Sequence, residues 1–158
     1  MLRVTLIAVG KLKENYWKST EAEYRKRLGT FVKLAVREIP ESAFTDEAGA
    51  HVARKKEEKY ILASVHAAKA DTVIALDCAG EEVSSEIFAK KLQDHEHHGM
   101  HLVFLVGGPT GFDERVFKNV QKKISLSHLT FTHQMARIIF FEQLYRACMI
   151  NHKQSYHY

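Results

Sequence analysis

The chain has few of the residues that mark a disulfide scaffold, a fibrous protein or a membrane protein. Its 158 residues include two cysteines, two prolines and eight glycines. Two cysteines cannot build a disulfide framework, which favours a reducing cytosol, and so little glycine and proline argues against collagen-like or low-complexity chains. The longest unbroken apolar run, Leu102–Val106, is far shorter than the roughly 20 residues of a membrane helix. The first residues lack a long apolar stretch with a small-residue cleavage site, so we expect no signal peptide and a cytoplasmic protein.

The composition is that of an ordinary globular chain, with 46% hydrophobic and 27% charged residues. Its length predicts a single domain over residues 1–158. Twenty-three Lys and Arg residues against 19 Asp and Glu residues give a net charge of +4. A basic excess suits an anionic partner such as nucleic acid, although many metabolic enzymes are equally basic. The basic residues are spread along the chain, so the fold must assemble any nucleic-acid surface.

Short apolar runs alternate with helical stretches. The predicted strands are Arg3–Val9, Phe31–Ile39, Thr72–Asp77, Leu102–Val106 and a weak Ile124–Ser127. The predicted helices are Lys13–Leu28, Thr45–Ala68, Ser85–His97, a short one around Asp113–Val120, and His133–Met149. This alternation predicts an α/β fold with a mostly parallel sheet and helices on both faces. The RKKEEK stretch at Arg54–Lys59 has opposite charges three and four residues apart, which favours a solvated helix face.

Two loops follow predicted strands at the edge where parallel sheets bind ligands. They are Leu76–Gly80 and the glycine-rich Gly107–Gly111. The glycines allow positive φ and close approach to a ligand, but neither GxxxxGK[ST] nor GxGxxG is present, which argues against a Walker-type nucleotide site. A tight strand-to-helix turn is an equally good interpretation.

Three further segments carry polar side chains with two open interpretations each. Ser125–Phe131 could line a ligand site or be a connector with Ser and Thr caps. His133 and Arg137 share a face of the last helix and could act on a substrate, or be a capping histidine and a solvent-facing arginine. The tail could contact RNA or be a frayed end. Four histidines between residues 95 and 101 lack zinc-site spacing, so we expect no metal.

Three segments together resemble a known family. VTLIAVGKLKENYW, LVFLVGGPTGF and SLSHLTFTHQMARIIFFEQLYRA look like the bacterial pseudouridine methyltransferase H family of 23S rRNA, which belongs to the SPOUT class. The resemblance runs in order over the whole chain. It implies a C-terminal trefoil knot, a homodimer, and S-adenosylmethionine bound in the knot. It also implies methylation of N3 of a pseudouridine in 23S rRNA, within the large subunit or the whole ribosome.

The resemblance also implies roles for individual residues. His133 and Arg137 match positions expected at the active site or the RNA surface. From their placement and the chemistry of the reaction, we take both as catalytic candidates, with His133 or a water it orients as the base and Arg137 stabilising charge on the uracil carbonyls. The positions that resemble cofactor-binding ones are Leu76, Gly107, Leu126, Ser127, His128, Leu129, Thr130 and Phe131. The expected RNA contacts are Lys153, Tyr156 and His157. The family usually has proline where this chain has Thr132, whose hydroxyl can cap the helix instead.

Three alternatives stay open at this point. The chain could be a non-catalytic ribosome-associated RNA-binding protein that kept the fold. It could be a methyltransferase of the same class that acts on another RNA site. It could also be a small α/β enzyme that binds a nucleotide or a phosphorylated metabolite at Gly107–Gly111.

Overall fold

Strands and helices alternate along the chain as predicted, and the computed structural model describes them for residues 1–156. The strands are β1 (Leu2–Val9), β2 (Val32–Ile39), β3 (Thr72–Glu82), β4 (His101–Val106) and β5 (Lys122–Ser125). The helices are α1 (Asn15–Leu28), α2 (Glu47–Ala68), α3 (Ser85–His97), α4 (Glu114–Phe117) and α5 (His133–Asn151). Among the described residues, none of these helices is long and apolar enough to cross a membrane.

The strands form one sheet in the order β2-β1-β4-β3-β5, and every neighbouring pair is parallel. The predicted parallel sheet is therefore confirmed. Because parallel strands end at the same edge, the segments that follow them are brought close together there. The strand order does not establish the knot that the resemblance implies, and the knot stays a prediction.

Helices cover both faces of the sheet, as predicted. Successive residues of β1 point to opposite faces, so Leu6 joins a core that contains Phe140 of α5, while Ile7 joins one that contains Ile61 of α2 and Val116 of α4. Helices α1, α3 and α5 lie over the first face, and α2 and α4 lie over the second. Each fully buried large apolar side chain contributes about 1.5–3 kcal/mol, and the two cores fix the sheet between the helix layers.

β3 is longer than predicted, because it continues past Asp77 to Glu82. The extension is possible because a bulge lets Ile124 of β5 pair with both Leu76 and Glu81. Gly80 lies in this bulge, and a Cβ there would come within 2.7 Å of the β5 backbone. Close contact with the neighbouring strand therefore explains the glycine at this position. Pairing with β3 also starts β5 two residues earlier than predicted, at Lys122.

We predicted that the charged residues of the RKKEEK stretch in α2 face solvent, and this prediction is wrong for the two acidic residues of the stretch. Glu57 and Glu58 are only 2% and 5% exposed. Glu57 Oε1 accepts the Ser42 N–H at 2.9 Å, and Glu58 Oε1 lies 3.8 Å from Arg115 Nη1. The carboxylates point inward because their partners come from neighbouring loops and α4, which local charge spacing cannot reveal.

Candidate active site

A cavity of about 1020 Å³ lies at the carboxyl edge of the sheet. It is at the upper end of the range of about 300–1,000 Å³ that is usual for small-molecule sites. The segments around it follow strands that are distant in sequence but adjacent in the sheet. The lining residues include Lys13, Glu14, Tyr16, Trp17, Glu41, Leu76–Cys78, Val106–Phe112, Leu126, Ser127 and Leu129–Gln134.

The glycine loop, Gly107–Gly111, forms one wall and is tightly folded. Gly111 has φ +73°, and its N–H donates to the Gly108 carbonyl at 3.0 Å. A Cβ on Gly107 would lie 3.3 Å from the Phe112 ring, and one on Gly108 would lie 3.0 Å from Val9. The loop is therefore a tight turn and a cavity wall at once, so the two interpretations of its glycines are compatible.

Most residues that the resemblance assigned to cofactor binding line this cavity. They are Leu76, Gly107, Leu126, Ser127, Leu129, Thr130 and Phe131. Local hydrogen bonds shape the segment after β5, since Ser127 Oγ accepts the Leu129 N–H and Ser125 Oγ donates to the Ser127 carbonyl, both at 3.0 Å. The structure brings these residues together, and their binding of a cofactor stays a prediction.

His128 differs from its neighbours in this segment. It does not line the cavity, because its side chain is 80% exposed and its Nε2 lies 3.2 Å from the Glu82 carboxylate. The ring therefore turns toward the extension of β3 and away from the proposed ligand. The sequence placed it in a run of cavity residues and could not show the direction of its side chain.

His133 lies in the cavity wall at the first position of α5. Thr132 caps this helix as predicted, with its Oγ1 accepting the Met135 N–H at 3.3 Å. The His133 Nε2 atom is buried without a hydrogen-bond partner among the described residues, and it lies 3.7 Å from Glu41 Oε2. Gly10 makes room for this pair, since a Cβ there would come within 3.0 Å of both groups. An unpartnered ring nitrogen in a cavity wall can accept a proton or a hydrogen bond from a ligand.

Arg137 does not line the cavity of its own chain, and it does not face solvent either, while its catalytic role stays a prediction. Its side chain is 5% exposed. The guanidinium makes two hydrogen bonds to Glu21 of α1 and one of 2.8 Å to Glu38 of β2. Two carboxylates on other elements draw the side chain inward, although it lies one turn after His133. This ion-pair cluster holds the start of α5 against α1 and β2.

Two of the predicted RNA contacts, Lys153 and Tyr156, do not line the cavity of the same chain. The Tyr156 ring packs 4.8 Å from Tyr145, and Arg146 lies over it at 5.0 Å. Burial and a hydrogen bond between the Tyr24 and Tyr156 side chains raise the pKa of Tyr24 to about 12 in the same cluster. Lys153 is exposed after the end of α5. His157 lies outside the described residues.

Sequence reasoning missed several lining residues. Tyr16, Trp17 and Glu41 all line the cavity but were not among the predicted site residues. Trp17 was assigned only to an apolar helix side. The signal was present, because Glu41 lies two residues after the end of β2 and Tyr16 lies seven residues after the end of β1. The carboxyl-edge rule applies to all parallel strands, whereas the prediction used it only for β3 and β4.

Comparisons with known proteins bear on the family and the fold of the chain. A family model described as a predicted SPOUT methyltransferase matches residues 2–157. A putative ribosomal RNA large subunit methyltransferase H of Methanoregula boonei is 42% identical over 160 residues, and the match covers 99% of each chain. A ribosomal RNA large subunit methyltransferase H of Heliobacterium modesticaldum is 40% identical over 162 residues, with the same coverage. Among solved structures, TrmJ from Z. mobilis ZM4 superposes with a TM-score of 0.53 at 13% identity, covering 93% of this chain and 70% of the other, which supports the fold alone.

Proposed function

Because this chain belongs to the SPOUT methyltransferase family, and within it to the ribosomal RNA large subunit methyltransferase H proteins, we propose that it methylates N3 of a pseudouridine in 23S rRNA. The methyl donor is S-adenosylmethionine, and the substrate is the assembled large subunit or ribosome in the cytoplasm. One observation carries the proposal: a single cavity gathers the glycine loop, the polar segment after β5 and His133, whose Nε2 has no hydrogen-bond partner in residues 1–156.

The cavity fits a cofactor with apolar and polar parts. Leu76 and Leu126 supply apolar walls, and the glycine loop exposes backbone groups at close range. When bound, S-adenosylmethionine supplies a methyl group activated on a sulfonium. The protein then has to orient the target base and exclude water, and orientation of this kind contributes about 7–11 kcal/mol.

His133 is the proposed base. The N3 position of pseudouridine is an imide nitrogen, so its proton has to leave when the methyl group arrives. His133 lines the cavity, and its buried Nε2 has no hydrogen-bond partner among the described residues. We assign it the role of accepting this proton, directly or through a water. Arg137 has its guanidinium occupied by Glu21 and Glu38, so we assign it to holding the start of α5, and with it His133, in position.

A homodimer is part of the proposal. Tyr16 and Leu129 line the cavity yet are 61% and 73% exposed. Apolar side chains this exposed at the mouth of a site suit contact with a second copy. A second copy would also double the net charge of +4 that faces the rRNA.

Calorimetric titration with S-adenosylmethionine and S-adenosylhomocysteine tests the cofactor assignment, with titrations of ATP and NAD as controls. We expect saturable binding by the wild type and by Gly29→Ala, which lies far from the cavity. Binding should be lost in Gly107→Val, because a side chain there meets the Phe112 ring.

Methylation of ribosomes tests the reaction. Digestion of treated 23S rRNA and mass spectrometry should find one added methyl group on a pseudouridine, and His133→Ala should reduce its rate while retaining cofactor binding. Wild-type turnover by His133→Ala would remove His133 from the mechanism. Ribosome binding without cofactor binding or methylation would instead favour the non-catalytic RNA-binding alternative.

A further inference from the structure

The outer face of α2 carries a group of lysines that its own acidic residues do not neutralise. Lys55, Lys56 and Lys59 are exposed, while Glu57 and Glu58 between them are buried. The positions of these lysines are three or four residues apart around Lys59, so they share one side of the helix. None of the three forms an ion pair within the part of the chain that the structure describes.

The two acidic residues are engaged on the inner side of the helix. Glu57 accepts the Ser42 N–H, and Glu58 lies beside Arg115. Asp113 is an acidic residue close to the lysine face. Its pKa is lowered chiefly by the hydrogen bond from the Arg115 N–H, and the charge of Lys55 is among the weaker causes. The RKKEEK stretch has a net charge of +2, and because both of its glutamates are buried, its exposed side is positive despite the nearby Asp113.

The helix that carries the lysine face also contacts one wall of the proposed active site. Arg54, next to Lys55, donates from Nη1 to the carbonyl of Thr110 in the glycine loop at 3.3 Å. Thr110 lines the cavity. The same helix also presents Tyr60, 54% exposed, four residues after Lys56. A long anionic substrate with one nucleotide in the cavity would therefore extend along α2.

We propose that Lys55, Lys56 and Lys59 form a phosphate-binding face that holds the rRNA backbone next to the nucleotide being methylated. The inference rests on the proposed function and assigns its RNA contacts to α2. Lysine heads on a helix are suited to neutralising backbone phosphates, which releases counterions and makes binding depend on salt. The exposed Tyr60 ring beside them offers a surface for stacking on an unpaired base.

Two triple variants test this face. Lys55→Gln/Lys56→Gln/Lys59→Gln removes the three charges, and Lys26→Gln/Lys33→Gln/Lys90→Gln removes three exposed lysines from α1, β2 and α3. The two variants have the same net charge, so comparing them separates the effect of the lysine face on binding from the effect of the protein's overall charge. Binding to ribosomes and to naked duplex RNA is measured between 50 and 300 mM KCl, together with S-adenosylhomocysteine binding and the KM and kcat for ribosome methylation.

We expect the α2 variant to bind RNA and ribosomes about tenfold more weakly at low salt, with a salt slope reduced by about two to three because each lost phosphate contact contributes nearly one. Its KM for ribosomes should rise, and its kcat and S-adenosylhomocysteine affinity should match the wild type. The control variant should stay close to the wild type.

Equal losses in both variants, or an unchanged α2 variant, would overturn the proposal. Weaker binding to ribosomes with unchanged binding to naked RNA would assign the face to an acidic ribosomal protein and would also overturn it. If the wild type methylates no rRNA, the proposed function itself fails. If the wild type methylates normally and the α2 variant is unaffected, only the proposal for the lysine face fails.

Discussion

At the residue scale, similar side chains acquire different chemistry from their surroundings. Cys148 is buried in the core between α5 and its neighbours, and burial, with a smaller effect of Glu96, raises the pKa of its thiol to about 12. Cys78 is exposed and lines the cavity. The thiolate is the reactive form of cysteine, so the two residues should differ strongly toward thiol reagents.

We expect a disulfide reagent at pH 8 to modify one thiol per native chain and two after unfolding. Cys78→Ser should show no rapid modification in the native state. A ligand bound in the cavity should slow the reaction of Cys78, because the residue lies in the cavity wall. Absorbance at the reagent's product wavelength gives the number of thiols, and two fast thiols in the native protein would contradict the described burial of Cys148.

At the scale of elements, α5 connects the site to the rest of the molecule. Its first residue is His133, Thr132 caps it, and Arg137 ties its second turn to α1 and β2. The ion pair with Glu21 is buried on both sides, at 5% and 7% exposure. Removal of Arg137 leaves the buried Glu21 carboxylate with the more exposed Arg25, whose Nη1 lies 3.5 Å away, and loss of one partner of a buried pair is more costly than replacing both.

Arg137→Ala is therefore expected to lower the free energy of unfolding by about 3–5 kcal/mol. Glu21→Gln combined with Arg137→Met should recover part of this loss, since no carboxylate of α1 then stays buried without its partner. Urea unfolding monitored by circular dichroism measures both. A stable Arg137→Ala protein with normal cofactor binding but little turnover would instead return Arg137 to a direct catalytic role.

At the scale of the whole molecule, the cavity opens among exposed apolar side chains that a second copy could cover. Sedimentation equilibrium should give a mass near twice the 18.1 kDa of one chain. We expect Tyr16→Glu/Leu129→Glu to shift the protein toward the monomer, because charges replace apolar side chains at the proposed contact.

Val52→Glu is the matched control for the dimer, since Val52 is 51% exposed on α2, on the other face of the sheet. It should stay dimeric. A monomeric wild type at micromolar concentration, or an equal effect of both substitutions, would contradict the proposed dimer surface.

The amino-acid sequence by itself determined the succession of strands and helices. Strand interiors such as those of β3 and β4 are continuous apolar runs, and Ser84 and Thr132 cap their helices through hydroxyls that accept nearby N–H groups. These signals are local, so periodicity and capping preferences suffice to find them. The motifs that carry the family resemblance also lie within continuous segments, which is why the family was identified from the sequence.

Only the tertiary structure decided how distant groups meet. Arg137 pairs with Glu21 and Glu38, which are 116 and 99 residues away. His133 lies beside Glu41 in the cavity wall. Glu57 and Glu58 of α2 face inward because Ser42 and Arg115 lie there, which leaves Lys55, Lys56 and Lys59 on the exposed side of the helix. The spacing of charges along one helix cannot predict these partners, since the pairings arise when parallel strands bring separate segments to one edge of the sheet.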